Sequence, residues 1–85
     1  MPYIKKHRRI GIEKMLERVG NNLEEKGELT YCIYKLGIEY LKHHKKNYQN
    51  ISDCIAAMND GAAEFRRRVL DIYEDEKRIE NGEIL

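Results

Sequence analysis

Seven apolar residues in the C-terminal half, Ile51, Ile55, Met58, Ala62, Phe65, Val69 and Ile72, follow one another at alternating intervals of four and three. That rhythm averages about 3.5 residues and holds through three heptads, so it predicts one long helix with one narrow apolar seam. A narrow seam on a long helix needs another helix to cover it. The chain is therefore expected to pack helix on helix. It is expected to self-associate through Ile55, Met58, Ala62, Phe65 and Val69.

Eighty-five residues make one domain at most. A domain of this size buries a modest core and is marginally stable alone, and oligomerisation is a common remedy. The chain is 36% charged and 41% apolar, with one Pro and no Trp. A disordered chain would carry fewer Ile, Leu and Tyr, so the composition indicates a surface-rich helical protein.

The periodicity continues upstream. Residues 1–7 read as an arm, because Pro2 disfavours helix before it. A first helix is predicted over residues 8–26, on the stripe Ile12, Leu16, Val19 and Leu23, with Gly27 as its C-cap. A second is predicted over 28–45, where Leu29, Ile33, Leu36 and Tyr40 form one stripe and Tyr34, Ile38 and Leu41 another. A helix apolar on two faces is expected to be packed from both sides. The third helix is predicted over 50–78 with Asn50 as N-cap, followed by an acidic tail over 79–85. The expected fold is all-α: a three-helix bundle or hairpin with a long, oligomerising C-terminal helix in a single domain.

The net charge of +1 does not indicate a uniformly basic nucleic-acid binder. Charge is nevertheless uneven. Lys5, Lys6, Arg8 and Arg9 make a basic head, and Lys42, Lys45 and Lys46 make a second basic stretch. Asp71, Glu74, Asp75, Glu76, Glu80 and Glu83 make an acidic end. These blocks suit mutual neutralisation within or between chains; equally they suit a solvated surface, where exposed pairs contribute little.

Chemistry-bearing constellations are sparse. Arg66, Arg67 and Arg68 fan around a helix, and pairing of Arg68 with Glu64 and of Arg67 with Asp71 fits the i,i+4 spacing. The functional alternative is a guanidinium fork gripping a phosphate or carboxylate. His43 and His44 are adjacent and diverge by about 100° on a helix, and no zinc-type spacing of Cys and His appears, so no metal is expected. There is no Gly-rich phosphate loop, nucleophile elbow or HExxH pattern, so neither catalysis nor a cofactor is expected. Cys32 and Cys54 sit in helical patterns among apolar neighbours and read as free, reduced thiols; an interhelical disulfide is the other possibility. The basic N-terminus lacks a signal-peptide core, and no stretch approaches a membrane span. A cytoplasmic protein without membrane association is expected. A helix-turn-helix reader of DNA fits poorly, since the first turns of the third helix carry Asp53 and Asp60 rather than basic or amide side chains.

Several pieces in order resemble a family of small uncharacterised proteins from bacteriophages and bacterial genomes. They are Met1-Pro2-Tyr3-Ile4, Gly27-Glu28-Leu29-Thr30-Tyr31, Glu64-Phe65 with Arg67-Arg68, Tyr73-Glu74-Asp75 with Lys77, and Glu80-Asn81-Gly82-Glu83. The chain departs from the pattern at Arg66, where an aromatic is usual, and at Ile72, where a Pro is usual. The Pro would end the third helix there. The resemblance implies a phage or prophage setting, and a host cytoplasm, in which small accessory proteins block host defence or redirect host machinery. Its motif positions outline a polar cluster of Arg67, Arg68, Tyr31, Tyr73, Glu28 and Lys77, expected to bind a host protein or a small anionic ligand such as a nucleotide. The alternative is a small nucleic-acid-binding regulator that uses the basic arm and Lys42 to Lys46.

Overall fold

The computed structural model describes residues 4–82, and every regular element among them is helical. Helix α1 runs Lys6–Gly20, α2 runs Lys26–Lys42, and the third helix is continuous over 34 residues from Tyr48 to Asn81. That last helix has three parts: α3 (Tyr48–Phe65), a π-helical turn (Arg66–Leu70) and α4 (Asp71–Asn81). The chain divides into two units, Met1–Lys45 and Lys46–Leu85.

Several ends differ from the sequence expectation. Helix α1 begins within the expected arm and stops at Gly20, well before Gly27. Glycine carries the largest backbone-entropy cost of any residue in a helix, and here it ends the run. The freed end is closed locally: Asn21 donates its N–H to the Glu17 carbonyl, and Asn22 Nδ2 donates to the Arg18 carbonyl at 2.7 Å. Gly27 lies in the first turn of α2 and caps nothing before it. Helix α2 opens instead at Lys26, and in its first turn Glu28 Oε1 accepts from the N–H of Glu24, the residue before the N-cap Glu25, at 2.9 Å, a contact related to the capping box.

The long helix starts at Tyr48, not Asn50. Asn47 is its N-cap, extended in backbone, with its side-chain oxygen accepting from the Asn50 N–H at 2.8 Å. Asn50 thus supplies the donor that the cap satisfies. At the other end the helix passes Ile72 without interruption and terminates at Gly82, whose φ of 87° is open to glycine alone at little strain.

The π-turn corrects the reading of one unbroken 3.5-residue seam. A π-turn holds one residue more than an α-turn, so every position after it slips by about 100° around the axis. Ile51, Ile55, Met58, Ala62 and Phe65 precede the slip and share one stripe. Beyond it, Leu70 and Tyr73 fall in line with that stripe, and Val69 and Ile72 turn aside. Leu70 is half-buried, and Val69, Ile72 and Tyr73 are exposed.

No described residue is buried. Leu29, Ile33 and Leu36 on α2 and Ile55 and Phe65 on α3 are all exposed, Phe65 to 65%. Local contacts hold the helices. Glu39 takes both Lys35 (3.3 Å) and Lys42 (3.0 Å), and the Tyr40 and His44 rings stack with centroids 3.9 Å apart. No helix among the described residues is long and apolar enough to cross a membrane.

Candidate functional site

The second unit holds Arg67, Arg68, Tyr73 and Lys77 on one helix. Glu64, two residues before the π-segment, is the anchor. Its side chain is only 18% exposed, and a single oxygen, Oε1, accepts from both Arg67 Nη2 (2.6 Å) and Arg68 Nε. The Arg68 pairing matches the i,i+4 expectation. Arg67, however, turns back to Glu64 rather than forward to Asp71. Together the two guanidiniums hold the Glu64 carboxyl below the usual carboxylate range, with Arg68 the larger influence and partial desolvation opposing it. This is a charge-assisted clamp across the entry to the π-turn.

Further along, Lys77 Nζ lies 5.6 Å from the Tyr73 ring centroid and also reaches Glu80 Oε2 at 3.2 Å. The first contact has cation–π geometry. Arg78 pairs with Asp75 at 2.7 Å. Each of these pairs spans three or four residues of one helix, and each is well exposed, so their role is to solvate and locally stiffen α4.

In the first unit, Glu28 is half-buried and engaged at the start of α2, while Tyr31 is exposed, three residues along the same helix. Structure thus gives Glu28 a capping role and leaves Tyr31 presented to solvent. Cys32 and Cys54 are free and half-buried. Among the described residues no three of His, Cys, Asp and Glu converge as a metal site.

The seam residues form the more extensive feature. Around Gly61, Ala62 and Ala63 the long helix is thin, and a Cβ built on Gly61 meets nothing within 4 Å. Phe65 projects beside this hollow. A bulky knob next to a shallow groove is the element of knobs-into-holes packing. The sequence spacing placed Phe65 and Ala62 on one stripe. It did not reveal the π-turn, which re-aims Leu70 and Tyr73 without any residue type that marks it.

Comparison with known proteins yields no match among curated proteins and none among solved structures. Residues 1–84 match the family described as a Domain of unknown function (DUF6899), and the chain belongs to that family.

Proposed function

We propose that this chain is a non-enzymatic interaction protein whose bare helical faces are completed by association, first with itself and then with a host protein. The absence of any buried residue among those described carries this reading. A chain that is 41% apolar yet leaves Ile55, Phe65 and Ile72 exposed has not repaid the entropy of ordering its backbone. Most helical stability in a protein comes from packing an amphipathic face rather than from intrinsic propensity. Covering the stripes contributes roughly 25 cal/mol per Å² of apolar surface removed from water. That makes the apolar faces the source of stability.

The Arg67–Arg68 pair favours a protein partner over a small anion, because Glu64 already supplies the carboxylate that both guanidiniums grip. A phage-type accessory role, occupying a host protein to blunt defence, agrees with a small chain that acts by contact and carries no catalytic constellation.

Sedimentation equilibrium combined with circular dichroism across a dilution series tests the reading. The expected mass is a multiple of 10.1 kDa, with helicity that falls on dilution as mass action requires. A monomer that keeps full helicity at nanomolar concentration overturns it.

A further inference from the structure

We infer that the helix Tyr48–Asn81 pairs with the same helix of a second copy, antiparallel and nearly end to end, with the two-fold axis beside the π-turn. This rests on the self-association proposed above and adds the partner, the direction and the register.

Charge selects the direction. The chain entering the helix carries Lys45 and Lys46, and its final turns carry Asp71, Glu74, Asp75, Glu76 and Glu80 against Lys77 and Arg78. An antiparallel copy sets each acidic end beside the other copy's lysines, and each negative helix terminus beside a positive one. A parallel copy sets acid against acid along α4, which is destabilising.

Shape selects the register. With Tyr48 opposite Glu80, Phe65 of one copy lies against Ala62 in the Gly61–Ala62 hollow of the other. A parallel, in-register pair would place Phe65 on Phe65 and Ala62 on Ala62, crowding one layer and leaving a void in the next. The flanks permit close approach, since Ser52, Cys54, Asn59 and Gly61 are small or uncharged. The π-turn extends the same register, because its slip brings Leu70 opposite Met58 and Tyr73 opposite Ile55. Arg66, the arginine that does not grip Glu64, comes to lie beside the Asn59–Asp60 stretch of the second copy.

A spin-label distance decides the matter. Gln49→Cys, in a Cys32→Ser, Cys54→Ser background, places one label per chain off the seam. At 1.5 Å per residue the antiparallel pair separates the two labels by about 45 Å, and a parallel pair by under about 20 Å. A dimer with the long distance supports the pairing. A short distance overturns it while leaving self-association intact, and a helical monomer by sedimentation overturns both. A compensating pair of variants gives an independent readout: Phe65→Ala and Ala62→Phe are each expected to weaken the dimer about tenfold, and the double variant to recover most of it. Lack of recovery overturns the register.

Discussion

The two halves of the long helix solve different problems. Helix α3 is built from apolar and small residues, with Asp53, Asp60 and Glu64 as its only charges. Helix α4 is dominated by charge, and its Lys77–Glu80 and Arg78–Asp75 pairs are exposed. Surface pairs of that kind contribute at most a few tenths of a kcal/mol each. Stability from burial must come from α3, and α4 is placed to govern solubility and direction. The π-turn joins them, and its slip is what carries the α3 stripe onto Leu70 and Tyr73.

The comparison breaks most sharply at Phe65. Phe65→Asp introduces a charge where the α3 stripe is to be covered, and an uncompensated charge in a desolvated contact costs several kcal/mol. Association is expected to be lost at micromolar concentration, with helicity falling in parallel, as read by sedimentation and circular dichroism. A comparable change on α4, Ile79→Asp at an 81% exposed position, is expected to leave both unaltered. If the two substitutions act alike, the division of labour between the halves is wrong.

A smaller effect is expected at the start of α3. Asn47→Ala removes the side-chain acceptor for the Asn50 N–H. Loss of such a cap costs about 1 kcal/mol, read as a lowered denaturant midpoint with unchanged slope. Asn47→Asp is expected to retain the cap and restore the midpoint. Direction is sharpened by charge: Glu76→Lys on α4 is expected to weaken association a few-fold at low salt and negligibly near 1 M, where screening falls to about 3 Å. An equal loss at both salts would assign Glu76 to packing instead.

What the sequence made legible follows from where its signals lie. The apolar spacing from Ile51 to Phe65 is long and regular, so α3 was readable, and the Arg68–Glu64 pair followed from helical geometry. End points were less legible, because competing signals sit close together. Asn47 and Asn50 are both good caps, and Gly20 and Gly27 both good stops; which one acts depends on local hydrogen bonds to Asn50 and Arg18 that spacing alone does not rank. The π-turn left no trace in the pattern, since Val69 and Ile72 continue the 3.5-residue rhythm that the extra residue in fact displaces. Of the polar positions, Arg67 and Arg68 meet on Glu64, Tyr73 lies near Lys77, and Glu28 is engaged at the start of α2.

The smallest effect tests whether the Glu64 clamp stiffens the junction between the two halves. Its carboxyl is held below the ordinary range chiefly by Arg68, then Arg67. A group whose pKa is depressed by folding contributes stability above its unfolded pKa, and loses it as pH falls through the folded value. The contribution is thus complete at neutral pH and disappears on acidification below the usual carboxylate range. Glu39 on α2, lowered chiefly by Lys42 and also by Lys35, has the same sign and titrates in the same direction. The two are separated by substitution. Glu64→Gln is expected to remove one part of the acid-induced loss of helicity and Glu39→Gln another, each slightly lowering helicity at pH 7. An unaltered acid profile in Glu64→Gln would mean that the arginines hold the π-turn no more firmly than solvent does, and the joint between α3 and α4 would then rest on backbone hydrogen bonding alone.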